Sequence, residues 1–347
     1  MKILRLHGLR DLRIHEESPP VAQEGQALLA ITSVGICGSD LHWFSEQGIG
    51  DAQLTSPLTL GHEFAAVIAE GPRAGERVAV EPAIHCGNCE LCQRGHPNLC
   101  PNVVFAGHGT QDGALRERMT WPVENLFRLP DALSNDDGAM LEPLGVAIHT
   151  VDLGHLKTGM TVGVFGCGPI GLLIVQLARL SGAGKIIATD LLPQRVDAAK
   201  ALGAHHAFLT DGRPFDAAQD RPNVSPILAA TGGRGVDVAF EAAGAQAAVE
   251  DAFAAVVPGG KVILAGIPGD DRTSFPAGLA RRKGLTIKLV RRMKHTYPRA
   301  IELAEKGLVD LRSLITHRFT LATAARAFEL AERREGIKIV VTVDGRP

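Results

Sequence analysis

The stretch from Thr161 to Asp190 leaves the chain little choice of fold. Thr161-Val162-Gly163-Val164-Phe165 is a short apolar run of strand type, and Gly166-Cys167-Gly168-Pro169-Ile170-Gly171 punctuates it. Leu172 to Leu180 then reads as a helix, and Lys185-Ile186-Ile187-Ala188-Thr189-Asp190 as the next strand. Three glycines at this spacing permit a tight turn, close approach of backbone N–H groups to a pyrophosphate at the helix N-terminus, and close helix–strand packing. Asp190 stands nineteen residues past Gly171, at the end of the second strand, where a carboxylate can accept from both ribose hydroxyls. It would repel a 2′-phosphate, which favours NAD over NADP; Arg195, five residues on, could instead stack on adenine or meet a phosphate. The apolar run Val162 to Leu180, broken by glycines and Pro169, is a strand–turn–helix and not a membrane span.

The alternation continues. Val236 to Phe240, Lys261 to Ala265 and Leu285 to Val290 read as further strands ending near glycine turns or basic residues, which predicts a parallel α/β sheet. Ahead of them, Thr210 to Pro226 lacks a clean period and reads as a surface insertion without a function. The change of style falls at about Lys157-Thr158-Gly159.

Upstream, short β-favouring runs such as Ala27 to Ile31 and Arg77 to Val80, punctuated by Gly and Pro, predict a small β-rich domain. Cys37-Gly38-Ser39-Asp40-Leu41-His42 puts a thiol, a hydroxyl, a carboxylate and an imidazole within six residues, and Gly61-His62-Glu63 adds an imidazole and a carboxylate. Thiolate, imidazole and carboxylate are ligand types that zinc takes, so Cys37, His62, Glu63 and Glu142 are candidate ligands of a catalytic centre closed by the fold. Ser39 could pass a proton and His42 carry it to water. Each piece alone has a plainer reading: a buried thiol beside a capping Ser-Asp, a core His-Glu pair, a salt-bridged glutamate at a helix end. Ser134-Asn135-Asp136-Asp137 reads as a helix N-terminus leading into Glu142, whose carboxylate inside an apolar stretch is costly to bury without a metal or a strong donor.

Cys86, Cys89, Cys92 and Cys100 are separated by two, two and seven residues, with glycines that let the loop curl. They can surround one tetrahedral zinc with no position open, which is the signature of a structural site. Two disulfides are the other possibility. The initial residues hold no apolar segment with a small-residue cleavage site, so the expectation is a cytoplasmic protein in a reducing compartment.

With Lys+Arg 36 against Asp+Glu 38, the net charge of −2 gives no field for nucleic acid or an anionic membrane. The basic cluster Arg291-Arg292-Met293-Lys294 is too local to change that, and better suits a pyrophosphate or a hydroxyl-rich substrate. The tail predicts helices near Arg299 to Lys306 and Thr323 to Arg333 and a strand at Ile337 to Val343, too short to form a domain of its own.

Taken together, Gly35 to His42, Gly61-His62-Glu63, the four-cysteine lobe, Glu142-Pro143-Leu144, Gly166 to Gly171 and Thr316-His317-Arg318-Phe319 resemble the zinc-containing medium-chain dehydrogenase/reductase family, most closely its sorbitol and xylitol (polyol) branch. The resemblance implies a GroES-like β-rich catalytic domain (residues 1–146, with a structural zinc lobe at about 85–101) split around a Rossmann domain (147–288). Residues 289–347 would return to the first domain, with the active site in the cleft. It implies two zinc ions per chain and NAD. Cys37, His62 and Glu63 would be metal ligands, Glu142 would bind zinc directly or through its water, and Asp40 would orient His62. Alcohol dehydrogenases proper carry a cysteine where Glu142 stands.

The same carry-over places Ser39 and His42 in a proton path, and Trp43, Phe105, Arg291 and Arg292 along the substrate pocket with Glu142. Gly166, Gly168, Pro169, Ile170, Gly171, Asp190, Arg195, Ala265, Gly266, Ile267 and Val290 would contact the cofactor. Trp43 stands where the branch tends to have tyrosine, and Arg292 where an aromatic is familiar, so the polyol stays open. The family also forms tetramers or dimers through its Rossmann sheet. The implied activity is oxidation of a polyol's secondary alcohol, with L-threonine or 2,3-butanediol as alternative substrates. A zinc-braced nucleotide-binding regulator would leave Cys37, Ser39, His42, His62 and Glu63 unexplained.

Overall fold

In a computed structural model, which describes residues 1–213 and 224–343, the chain divides into two compact units. One is Val146–Met293; the other is Met1–Gly145 together with the chain from Lys294 onward.

The Val146–Met293 unit is built on six strands, all parallel: Thr161–Phe165, Lys185–Asp190, His206–Leu209, Val236–Glu241, Val256–Leu264 and Thr286–Leu289. Their spatial order is third, second, first, fourth, fifth, sixth, the doubly wound arrangement whose ligands sit at the carboxyl ends of the strands. The first two strands have the limits read from the sequence. The intervening helix starts earlier, at Pro169, because a proline costs nothing at a first helical position whose N–H has no partner. The fifth strand starts at Val256, five residues before the expected Lys261, with a register shift that absorbs Pro258, Gly259 and Gly260. Of the expected insertion Thr210 to Pro226, residues 214–223 lie outside the described ones, and Ser225 and Pro226 already belong to the helix Ser225–Ala230. Phe165, Ile187, Val236, Phe253 and Val262 form the core on one side of this sheet.

The other unit centres on the ten-residue strand Gln26–Gly35, nearly all of it buried. It pairs antiparallel with Glu63–Ile68, Arg118–Pro122 and Lys338–Thr342. Arg77–Val80 and Leu126–Arg128 extend the sheet on one side, and Ile315–Thr320, parallel to Lys338–Thr342, on the other. Ala27, Leu29, Ile31 and Val34 lie in one cluster with Phe64, Trp121, Phe328 and Val341. Each large apolar side chain buried there contributes about 2 kcal/mol of transfer free energy. Tyr297 anchors the returning segment: its Oη donates to the Val80 carbonyl at 2.5 Å and its ring stacks on Phe127 at 4.7 Å.

The helix expected to run from Ser134 into Glu142 is two helices. Ser134 caps Asn135–Ala139 in a capping box: its Oγ accepts from the Asp137 amide (3.1 Å) and its amide donates to Asp137 Oδ2 (2.8 Å). Met140 ends that helix, and Leu141–Gly154 begins afresh, so Glu142 falls in a first turn. Among the described residues no helix is long and apolar enough to cross a membrane.

Candidate functional site

The end of the strand Gln26–Gly35 delivers Cys37, which becomes the N-cap of the helix Gly38–Glu46. The start of the strand Glu63–Ile68 delivers Glu63, opposite Gly35 in the sheet register, with His62 just before it. Asp40 ties these segments together. Its Oδ2 accepts from the Cys37 amide (2.9 Å), its Oδ1 accepts from the Gly61 amide (3.2 Å), and Oδ1 lies 3.4 Å from His62 Nδ1. Because the third helical position closes the cap, a Cys-x-x-Asp spacing both starts the helix and aims a carboxylate at the histidine.

Cys37 Sγ, a His62 ring nitrogen and a Glu63 oxygen lie within 4.8 Å of one another, as bonds of about 2.0–2.3 Å to one zinc require. Burial works against charge on His62, but Asp40 and Cys37 outweigh it and hold its pKa well above the ordinary histidine value. Burial likewise opposes ionisation of Asp40, and His62 with the Cys37 and Gly61 amides keeps its pKa low all the same. The donor set is therefore a thiol, an imidazole oriented from behind and a carboxylate, and it fits a zinc ion. Glu142 is buried but is not part of this close set.

Ser39 Oγ lies 3.4 Å from His62 Nε2. His42, a turn further along the same helix, meets Glu46 Oε2 at 3.0 Å, and no hydrogen bond joins it to Ser39. Phe105 packs on His62 with ring centres 5.1 Å apart. Trp43 is almost wholly buried, its ring edge-on to His108 at 5.4 Å. Arg291 is exposed and Arg292 half-buried with φ +54°; both belong to the Val146–Met293 unit, whereas Trp43, Phe105 and Glu142 belong to the other.

In the cysteine lobe all four sulfur atoms lie within 4.8 Å of one another, and every cysteine of the chain is a free thiol. Backbone N–H groups of Asn88 and Cys89 pull Cys86 down to about 6, while burial and the neighbouring thiols push Cys92 up to about 12. One sulfur carries charge readily and its neighbour resists a second, a conflict that a cation at the centre removes. The lobe fits a closed zinc site.

The glycine loop is tightly built. Gly166 has φ +96°, and a Cβ on Gly171 would stand 1.8 Å from the Gly166 carbonyl oxygen, so neither position accepts another residue. Gly168 caps the helix Pro169–Leu180, with Arg195 Nη1 nearby. Asp190 is buried at the strand end, where its Oδ2 accepts from the Cys167 amide (2.7 Å) and Oδ1 from the Leu192 amide (2.9 Å). Asp190 thus holds the glycine loop to the end of the second strand. Ala265, Gly266 and Ile267 follow the fifth strand, and the Val290 amide donates to the Leu264 carbonyl at 2.9 Å.

Sequence reasoning missed Lys338. It is buried in the strand Lys338–Thr342, its Nζ pairs with Glu63 Oε2 and donates to the Ile36 carbonyl at 2.9 Å. Burial opposes its charge, yet Glu63 and Cys37 keep its pKa raised. The signal was a lone cation inside the apolar run Ile337 to Val343, the same anomaly that drew attention to Glu142.

Two family descriptions match the chain: an alcohol dehydrogenase GroES-like domain over residues 23–131 and a zinc-binding dehydrogenase domain over 169–306. The chain is 37% identical to sorbitol dehydrogenase of Bacillus subtilis over 349 residues, covering 98% of this chain and 97% of that one. The chain belongs to the zinc-containing medium-chain dehydrogenase/reductase family. A probable D-xylulose reductase A of Arthroderma otae is also 37% identical, over 98% of this chain and 97% of its own. The crystal structure of 2R,3R-butanediol dehydrogenase from Bacillus subtilis superposes with a TM-score of 0.84 at 30% identity, covering 98% of this chain and 99% of that one. This medium-chain dehydrogenase is thus an oxidoreductase of the alcohol-dehydrogenase type, with a GroES-like domain and a Rossmann domain.

Proposed function

We propose that this dehydrogenase oxidises a secondary hydroxyl of a sorbitol- or xylitol-type polyol to the ketose, with NAD as hydride acceptor. The close set Cys37, His62 and Glu63, oriented by Asp40, carries the reading. The polyol relatives named above support the substrate class. Zinc bound by these three residues would supply Lewis acidity toward a substrate hydroxyl, as the nicotinamide supplies the acceptor for the hydride. Cys86, Cys89, Cys92 and Cys100 would hold a second zinc, which would brace the lobe.

Oxidation takes a hydride from the carbinol carbon, for which bound NAD would be the acceptor, and a proton from the hydroxyl, and the C–O bond becomes a carbonyl. Ser39, within reach of His62 Nε2, is placed to take that proton, and His42, tied to Glu46, to pass it on through water. Asp40 fixes His62 through Nδ1 and leaves Nε2 for the metal. Glu142, outside the close set, acts through water. Phe105, against His62, and Trp43 shape the recognition of the polyol chain on the metal-bearing unit. Gly166 to Gly171, Asp190, Arg195, Ala265 to Ile267 and Val290 hold the dinucleotide, and Asp190 selects NAD over NADP.

The assembly in this reading is a cytoplasmic homo-oligomer, a tetramer ahead of a dimer. The edge strand Thr286–Leu289, with Leu289 75% exposed, supports it, and light scattering checks it. The deciding experiment follows NADH formation by zinc-replete protein on sorbitol, xylitol, galactitol, L-threonine, 2,3-butanediol and ethanol. Highest kcat/KM on a polyol upholds the reading. A preference for L-threonine or butanediol replaces the substrate class, and no turnover with either cofactor by protein that binds zinc removes the enzyme reading.

A further inference from the structure

Glu241 is an oddity of the nucleotide-binding unit. It is 1% exposed at the carboxyl end of the fourth strand, and it makes no ion pair among the described residues. A carboxylate buried without a cation costs several kcal/mol unless hydrogen bonds satisfy it. Here backbone amides supply those bonds and offset burial in part; burial still holds the carboxyl pKa above the ordinary glutamate value. Oε1 accepts from the amides of Ala243 and Gly244, both at 2.7 Å, and the amides of Gly266 and Ala245 also bond the carboxylate. The main-chain carbonyl of Glu241 accepts from Ala265 (2.8 Å) and Gly266 (3.2 Å). One residue therefore ties the loop after the fourth strand to the loop after the fifth.

The two loops touch backbone to backbone. A Cβ on Gly266 would stand 2.1 Å from the Gly244 amide nitrogen and 2.6 Å from Glu241 Oε2, and one on Gly244 would stand 2.3 Å from the Ile267 carbonyl oxygen. In a doubly wound sheet the first three strands hold one mononucleotide and the last three the other. The glycine loop and Asp190 belong to the first half, so the loops held by Glu241 face the nicotinamide half.

We propose that Glu241 is a positioning residue for the cofactor, locking the loops 242–245 and 265–267 into the setting that the nicotinamide mononucleotide half of NAD requires. The proposal rests on the reading of Ala265, Gly266 and Ile267 as cofactor contacts. A carboxylate suits the task because both oxygens only accept. Glutamine in its place would aim an NH2 group at an N–H.

The test uses the zinc-loaded enzyme and the substitutions Glu241→Gln, Glu241→Ala and Gly266→Ala, the last breaking the lock from the other loop. NADH affinity is read by fluorescence titration, AMP affinity by competition, and KM for NAD and for the alcohol by steady-state kinetics. AMP occupies only the adenosine half. Loss of a charged hydrogen bond predicts an NADH Kd and an NAD KM raised about tenfold in Glu241→Gln and more in Glu241→Ala. AMP affinity, alcohol KM and zinc content should stay within about twofold of the parent. Unchanged NADH affinity in all three variants overturns the proposal, as does a parallel loss of NADH and AMP, which would mean that Glu241 merely keeps the unit folded. Should the parent enzyme bind AMP but not NADH, the cofactor assignment of residues 265–267 fails first, and this proposal with it.

Discussion

Lys338 and Glu63, carried by the two strands that flank Gln26–Gly35, form a buried ion pair across it, with both side chains 2% exposed. Gly35 makes room for it, because a Cβ there would run into Glu63 Oε2 and lie 3.0 Å from Lys338 Cε. Lys338 is thus a cation resident beside the thiolate and carboxylate that would receive the metal. Removing one partner of such a pair costs about 3–5 kcal/mol, since the other charge stays buried alone. Lys338→Met should therefore lower the melting temperature far more in metal-stripped protein than in zinc-loaded protein, where the metal offers Glu63 a second cation. Thermal unfolding with and without a chelator decides it; equal shifts in both states would remove Lys338 from the metal centre.

Substitution of the ligands separates the two proposed zinc sites. Glu63→Ala or His62→Ala should drop the zinc content from two per chain to one and abolish turnover, while the cysteine lobe keeps its metal. Elemental analysis beside the NADH assay gives the answer, and full activity in either variant sinks the assignment.

Ser39→Ala leaves His62 and its partner Asp40 in place, so metal content should stay at the parent value. Loss of a proton-transfer group predicts a fall in kcat of about 10²-fold or more. A kcat equal to the parent's across the pH range would take Ser39 out of the proton path.

The lobe makes a pH prediction. In metal-stripped protein Cys86, held down to about 6, is largely thiolate at neutral pH, whereas Cys92, pushed up to about 12, stays protonated. Alkylation followed by mass spectrometry should label Cys86 first. The rate should fall as pH drops through about 6, because the proton then occupies the nucleophile. Earlier labelling of Cys92 would contradict this order.

Asp190 holds the glycine loop, and in the proposed reading it also selects NAD, so its replacement should reveal both. Asp190→Ser should weaken NAD and admit NADP, and should also loosen the glycine loop by losing the bonds to the Cys167 and Leu192 amides. KM values for both cofactors measure the first effect, and hydrogen exchange at Cys167 the second. An unchanged cofactor preference would place the discriminating acid elsewhere.

What could be read without a structure was whatever the chain states locally. The limits of the strands Thr161–Phe165 and Lys185–Asp190, and the four-cysteine spacing, are short-range patterns, and they matched the observed elements to the residue. The break at Met140 was hidden because helical propensity runs through it, and only the second start puts Glu142 in a first turn. Lys338, Gly35 and Glu241 were hidden for a different reason. Their meaning lies in partners brought by the sheet, such as the Ile36 carbonyl 302 residues from Lys338, or in backbone amides that no side-chain pattern announces.

The strand Lys338–Thr342 pairs with Gln26–Gly35, and it is synthesised only after the whole nucleotide-binding unit. Cys37, His62 and Glu63 are made early and must wait for it through the synthesis of the whole nucleotide-binding unit. During translation the ligands are therefore exposed to cellular metals before their lasting neighbour exists. A contact of such sequence separation also closes slowly, so Lys338 reaches Glu63 only late in folding.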